Sequence, residues 1–155
     1  MSGITNLSKF IYQFAYKHPN GVDDEAQTLN DILIGNSGFS YLFWLLIVVS
    51  GLTAFVYYYG IAAKAASATK QNYIVSSILG LITLLVFNFL FLFLFCDFKE
   101  CLQSKIMWLI TLLDIVYYFI CHELWSLLIK DGIPFVNRDK SKARTIDWIS
   151  IIFNK

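Results

Sequence analysis

Three long apolar runs, separated by short polar stretches, dominate the pattern of this chain. They cover residues 39–63, 74–95 and 106–129, and the first two contain no charged side chain. Each run has the roughly 20 apolar residues that one helical crossing of a bilayer requires. Because a segment in lipid must satisfy its backbone hydrogen bonds internally, the runs predict three transmembrane helices rather than isolated strands.

The segments at the two ends of the chain are amphipathic. In residues 1–38, apolar side chains recur at helical spacing over residues 4–17, which predicts an amphipathic helix. The basic tail, residues 130–155, repeats the pattern near its end. The apolar residues of that second pattern are Ile146, Ile149, Ile152 and Phe153. We expect each helix to lie in the headgroup plane or to dock on a partner.

The expected fold is therefore an all-α membrane protein with three transmembrane helices and amphipathic N- and C-terminal segments. Its domains are residues 1–38, 39–129 and 130–155. Composition supports this class, since the chain is 57% hydrophobic and 15% charged, whereas soluble proteins have about 25% charged residues. The net charge of +1 gives no field that would attract nucleic acid, so the bilayer is the expected partner.

The placement of basic residues predicts an orientation. Three crossings put the loop at 64–72 and the C-terminal tail on one side of the membrane. That side holds eight of the twelve Lys and Arg residues. The positive-inside rule then places the C-terminus in the cytoplasm or its organellar equivalent, with the N-terminus outside. A bacterial inner membrane or an organellar inner membrane is the expected location. Within the tail, the residues expected to contact lipid headgroups are Arg138, Lys140, Lys142 and Arg144.

The third run differs from the others because it carries ionisable side chains. Asp114, Tyr118 and His122 are spaced by four residues and share one helix face. Tyr117 and Cys121 flank this face, and these five residues form what we call the polar stripe. Asp114 lies about 12 Å along the helix from the start of the run, inside the hydrocarbon region. A charge at that depth costs about 2.5–3.5 kcal/mol, so its retention requires an explanation.

Glu123 follows the stripe directly and lies nearer the cytoplasmic end, within reach of the interface. Three explanations for Asp114 remain open at this point. It is a neutral carboxyl bonded to Asn88 or a hydroxyl, it faces a water-lined ion or proton path, or it contacts another chain. The first makes the stripe structural, and the other two make it functional.

The second run has a pattern of small residues typical of helix packing. Ser76 and Gly80 form a small-xxx-small pair, and Thr83 and Asn88 follow on broadly the same side. Such residues let two helix backbones approach closely. We expect these four residues to form an interhelical contact.

Signatures of catalysis and metal binding are missing from the sequence. His122 and Glu123 do not form an H-E-x-x-H motif, because position 126 is Ser. Cys96 and Cys101 have no nearby His and fit no familiar zinc spacing. They would pair as a disulfide only if the loop between them turns. We therefore expect no enzymatic activity, no cofactor and no metal.

Two functional classes remain. In the first, copies of the chain assemble into an ion- or proton-conducting pore lined by the polar stripe and Glu123. Asp114 would then set the preference for cations. In the second, the chain is a non-catalytic anchor or accessory subunit, and the stripe binds neighbouring helices. Both predict an assembly, either a homo-oligomer or a complex with other membrane subunits.

Overall fold

A computed structural model describes Leu7, Phe10, Ile11 and residues 38–63, 67–95, 105–132 and 146–153. Helix α1 (Gly38–Phe55) continues directly into a π-helical segment (Val56–Ile61). Helices α2 (Lys70–Phe95), α3 (Lys105–Gly132) and α4 (Trp148–Phe153) follow. All elements in this part of the chain are helical, which confirms the predicted all-α class.

Three of these helices are long and apolar enough to cross a membrane. The candidate spans are Ser40–Ile61, Lys70–Phe91 and Trp108–Lys130. Helix α2 begins four residues before the predicted run because Thr69 caps it. The Thr69 hydroxyl accepts a hydrogen bond from the Asn72 backbone N–H at 3.1 Å. The length and composition of the three helices are those of a small membrane protein.

The π-helical segment was not predicted from the sequence. Its last turn is closed by the Ala62 backbone N–H, which donates to the Tyr57 carbonyl at 2.7 Å, five residues earlier. The wider turn changes the side-chain periodicity, so the consecutive residues Tyr57 and Tyr58 are both buried. A short apolar segment has the same hydropathy whether it forms an α-helix or a π-helix. The pattern of apolar residues therefore does not distinguish the two.

The chain packs as two compact units. The first combines Met1–Leu46 with Leu84–Val116, and the second combines Ile47–Thr83 with Tyr117–Lys155. In the first unit the ring of Tyr41 stacks on that of Phe91, with centroids 4.2 Å apart. The core of the second unit contains Tyr57, Tyr58, Ala62, Ala68, Tyr73 and Ile146.

The other faces of the long helices are apolar and exposed. Each of the three spans presents large aliphatic side chains outward, for example Leu52, Val86 and Leu112, which are 51–59% exposed. Such continuous apolar surface is unfavourable in water and suits contact with acyl chains or with other membrane helices.

Parts of the predicted terminal segments lie outside the described residues. Of the predicted amphipathic helix at 4–17, Leu7, Phe10 and Ile11 are described; Leu7 and Phe10 are exposed, and all three have helical backbone. The candidate disulfide and the basic residues expected to contact lipid headgroups also lie outside the described part. These residues are Cys96, Cys101, Arg138, Lys140, Lys142 and Arg144.

Candidate functional site

A hydrogen-bonded network surrounds His122 in the second unit. The imidazole is 0% exposed. Its Nδ1 lies 3.2 Å from Tyr73 Oη, and its Nε2 lies 3.3 Å from Ser77 Oγ. Tyr73 and Ser77 are one turn apart on α2, so a single face of α2 supplies partners for both ring nitrogens. A buried imidazole with both nitrogens bonded avoids the desolvation cost of an unpaired polar group.

The network extends along α3 in both directions from His122. One turn later, Ser126 Oγ lies 2.9 Å from Tyr73 Oη. One turn earlier, Tyr118 Oη donates to the Ser77 carbonyl at 2.9 Å. All of these side chains are completely buried. We call His122, Tyr73, Ser77, Ser126 and Tyr118 the His122 network.

Three helices of the second unit meet at Gly80. A Cβ at Gly80 would overlap both Thr53 Oγ1 from α1 and Tyr118 Oη from α3. The Thr53 hydroxyl also donates to the Val49 carbonyl of its own helix at 2.7 Å, which fixes its position. Only a residue without a side chain fits this contact, so the small residue has a specific packing role here.

Asp114 belongs to the first unit and has a partner on α2. Its side chain is 1% exposed, and Asn88 Nδ2 donates to its Oδ2 at 2.5 Å. Asn88 is also buried, and its Oδ1 has no hydrogen-bond partner. The sequence left three explanations for Asp114. This geometry corresponds to the one in which Asn88 hydrogen-bonds to the carboxyl group.

The polar stripe is thus turned into the chain at its central positions. Asp114, Tyr118 and His122 are buried, whereas Tyr117 and Cys121 are half-buried. The three central residues do not face outward, where a pore between copies of the chain would need them. The reason is that α2 carries matching polar groups at Asn88, Ser77 and Tyr73.

The four α2 residues predicted to pack between helices are also partly buried and partly exposed. Ser76, Gly80 and Asn88 are buried, but Thr83 is exposed. The Thr83 hydroxyl donates to the Leu79 carbonyl of its own helix at 2.9 Å. Because that bond satisfies the hydroxyl locally, Thr83 needs no partner on another helix. Within the described part of the chain, Thr83 has no hydrogen bond to another helix.

Tyr73, Ser77, Ser126 and Thr53 were missed as site residues. A signal for two of them was present, because Tyr73, Ser77 and Gly80 recur at spacings of four and three along α2. This spacing marks one helix face that faces the polar stripe. Thr53 and Ser126 are single polar residues in apolar surroundings, and sequence spacing alone gives them no partner.

A second cluster of polar side chains in the second unit binds the start of α4. The Glu123 carboxylate accepts hydrogen bonds from the backbone N–H groups of Trp148, at 2.9 Å, and Ile149, at 3.3 Å. Asp147 accepts from the Ser150 N–H at 2.6 Å and forms an ion pair with Lys130. These contacts satisfy the first free N–H groups of a helix, which otherwise lack partners.

The segment 146–153, which contains α4 and is attached to the second unit, has an exposed apolar side. Tyr58 Oη donates to the Ile146 carbonyl at 2.6 Å, which adds a third attachment point. Ile149, Ile152 and Phe153 face away from the chain and are 51–77% exposed. Of the four apolar residues predicted to share one face, these three are exposed. Ile146 is instead buried in the core of the second unit, and Trp148 and Ile151 pack against that core.

Burial raises the pKa of the Asp147 carboxyl group, and hydrogen bonds from Lys130 and Ser150 lower it. The hydrogen bonds outweigh burial, so the pKa lies below the ordinary value. A carboxyl group whose pKa is lower when folded stabilises the docked state above its unfolded pKa of about 3.9. This contribution is lost as the pH falls through the lowered pKa.

We therefore expect acidification below pH about 4 to loosen the α4 segment. Hydrogen exchange at the Ser150 amide, measured in lipid nanodiscs, reports this change directly. Asp147→Asn is the matched control, because it retains an acceptor for Ser150 and still has Glu123 beside it. The variant should exchange faster at neutral pH and lose the part of the acid response due to Asp147. Identical pH profiles for the variant and the unaltered chain would contradict the assignment.

Within the described residues, no group of three or more His, Cys, Asp or Glu side chains is arranged to hold a metal ion. The arrangement instead offers buried hydroxyls and one imidazole, which are groups that donate, accept and transfer protons. No protein-family model matches this sequence, and neither a curated protein nor a solved structure is significantly similar to it.

Proposed function

We propose that the protein is a non-catalytic anchor or accessory subunit of a membrane assembly. The observation that carries this proposal is the burial of Asp114, Tyr118 and His122, which are 1%, 0% and 0% exposed. Each is bonded to an α2 residue of the same chain. A water-filled path requires polar groups on its surface, and these groups are occupied within the chain.

The lateral surface of the chain supports an assembly. Only 22–33% of the residues in each span are buried inside the chain. The remaining surface is rich in large aliphatic side chains, which pack equally well on lipid and on apolar helices of another subunit. An anchor needs stably packed helices with such faces. The His122 network and the Asn88–Asp114 bond each supply interhelical contacts within their own unit.

The alternative is a homo-oligomeric pore lined by the polar stripe. It requires the central stripe residues to leave their α2 partners and turn outward. Each partner would then lose a buried hydrogen bond, at a cost of about 1–3 kcal/mol per unsatisfied group. The anchor keeps every one of these bonds, and for this reason we favour it.

Native mass spectrometry of the complex extracted in mild detergent from its own membrane tests the proposal. We expect foreign chains at fixed stoichiometry, and no unitary conductance when the complex is placed in planar bilayers. A closed ring of identical chains that conducts ions would contradict the proposal.

A pair of variants sharpens the conductance measurement. Asp114→Asn changes the charge at the stripe, whereas Leu112→Asn places the same amide on the exposed side of α3. If a conductance exists and only Asp114→Asn alters it, the stripe lines a path and the anchor proposal is wrong. If neither variant conducts and Asp114→Asn retains its partner chains, the proposal stands.

A further inference from the structure

The hydrogen-bond donors around His122 can be assigned from the geometry. Three hydroxyls in this region have a backbone carbonyl as partner, so each must donate to it. Ser77 donates to the Tyr73 carbonyl, Tyr118 to the Ser77 carbonyl and Tyr58 to the Ile146 carbonyl. A hydroxyl has one hydrogen, so these three hydrogens are committed.

This assignment fixes the tautomer of His122. The Ser77 hydrogen is already used, so the contact between Ser77 Oγ and His122 Nε2 requires a hydrogen on Nε2. In a neutral imidazole the other nitrogen, Nδ1, is then an acceptor. It accepts from Tyr73 Oη. Because the Tyr73 hydrogen is now used as well, Ser126 is the donor in its contact with Tyr73.

The same contacts form a chain of hydroxyls that leads away from His122. Tyr73 follows Nδ1, and Ser126 follows Tyr73 one turn further along α3. The carboxyl groups of Glu123 and Asp147 lie near the Tyr73 ring. The chain therefore leads from the buried imidazole toward the Lys130 end of α3.

We propose that His122 is a reversible proton-binding site supplied through the hydroxyls of Ser126 and Tyr73. This role goes beyond anchoring and does not depend on it. The ligand is a proton, which enters the chain at Ser126.

Proton transfer from Ser126 to His122 balances without movement of a heavy atom. The incoming proton binds Ser126 Oγ, the former Ser126 hydrogen passes to Tyr73 Oη, and the Tyr73 hydrogen passes to Nδ1. Afterwards each hydroxyl again has one hydrogen, and the imidazole has gained one proton. His122 then donates to Tyr73, and Tyr73 donates to Ser126.

The protonated imidazole retains partners for both N–H groups. Nδ1–H faces Tyr73 Oη, and Nε2–H still faces Ser77 Oγ. The ring of Tyr118 lies with its centroid 5.7 Å from that of the imidazole, within the range at which an aromatic ring attracts a cation. The site thus offers two acceptors and an aromatic ring to the charged form.

Nitrogen NMR of histidine tests this proposal in the full chain reconstituted in lipid nanodiscs. His18 is the other histidine and is replaced by glutamine so that one imidazole is observed. At neutral pH we expect a single tautomer with hydrogen on Nε2 and none on Nδ1. On acidification we expect Nδ1 to gain a proton reversibly while the remainder of the spectrum shows an intact fold. A neutral tautomer with hydrogen on Nδ1, or an imidazole that never gains the second proton before unfolding, would overturn the proposal.

Two tyrosine variants separate proton transfer from packing. Tyr73→Phe removes the hydroxyl that contacts Nδ1, whereas Tyr57→Phe makes the same chemical change at a buried ring outside the network, whose hydroxyl donates to the Thr69 carbonyl. We expect Tyr73→Phe to lose the fixed tautomer and to slow proton exchange at Nδ1 about 100-fold. Tyr57→Phe should retain both properties. Equal behaviour of the two variants would overturn the role of the chain. Ser126→Ala interrupts the chain one step further away and should slow exchange while leaving the Tyr73 contact in place.

Discussion

Replacement of Gly80 by alanine is expected to lower the free energy of unfolding by about 3 kcal/mol, the upper range for overpacking a buried contact. The added methyl group would overlap Thr53 Oγ1 and Tyr118 Oη, which approach Gly80 from two different helices. Thr53 is branched at Cβ and Tyr118 is rigid, so neither side chain moves away easily. Reversible unfolding in mixed detergent micelles, followed by helical circular dichroism, measures the change.

Two other glycines provide a graded control. At Gly51 a new Cβ would lie 3.0 Å from the Trp125 indole, which must shift by a few tenths of an ångström. At Gly60 the nearest atom is Val56 Cγ1 at 3.9 Å, an ordinary contact. We expect a smaller loss for Gly51→Ala and no loss for Gly60→Ala, since alanine favours a helix over glycine by about 1 kcal/mol. Equal stability of the Gly80 and Gly60 variants would refute the three-helix contact.

The clash at Gly80 also predicts a rescue. Tyr118→Phe alone should destabilise the protein by about 0.6–2 kcal/mol, because it removes an interhelical hydrogen bond. In the Gly80→Ala background the same change removes one of the overlapping atoms and should therefore stabilise the protein. Such a change of sign identifies a direct contact between positions 80 and 118.

The second large effect is expected at Asp114. Asp114→Leu should lower the free energy of unfolding by about 2 kcal/mol, since it leaves the buried Asn88 amide without its bonded carboxyl oxygen. Asn88 Oδ1 already has no partner, so the whole amide would become unsatisfied. Asp114→Asn retains an acceptor of similar size and should cost less. The same micelle unfolding assay measures both variants.

Removal of both groups should reverse most of this loss. In Asp114→Leu/Asn88→Leu two apolar side chains replace the polar pair, so the Asn88 amide is no longer left unpaired. Replacement of a buried polar pair by apolar residues is often close to neutral. A double variant as unstable as the sum of the single variants would show that these residues do not interact.

Much of the fold could be predicted because it depends on sums over many residues. A span is predicted from the mean hydropathy of about 20 residues, and a few polar residues change that mean little. Exact boundaries depend on single groups, and the Thr69 cap extended α2 to Lys70. The π-helical turn at Val56–Ile61 depends on one shifted hydrogen bond and has no hydropathy signal.

The candidate site was predicted only in part, because hydrogen bonding depends on pairs of residues. The spacing of Asp114, Tyr118 and His122 identified one polar face of α3. It did not reveal whether α2, another subunit or water would satisfy that face. A comparison with the spacing of Tyr73, Ser77 and Gly80 would have favoured α2. Docking of residues 146–153 on Glu123 joins positions about 25 residues apart in sequence, and no local pattern encodes it.

The central claim is that the polar stripe of α3 is bonded within its own chain, and intrachain cross-linking tests it most directly. Cysteines at positions 88 and 114, with the native cysteines replaced, are treated in native membranes with a short bifunctional thiosulfonate. A second pair at positions 86 and 112, both exposed, is the matched control. We expect a rapid cross-link within one chain at 88 and 114, and none at 86 and 112. Cross-linked dimers formed through positions 88 and 114 would show that the stripe faces another copy, and would contradict bonding within the chain.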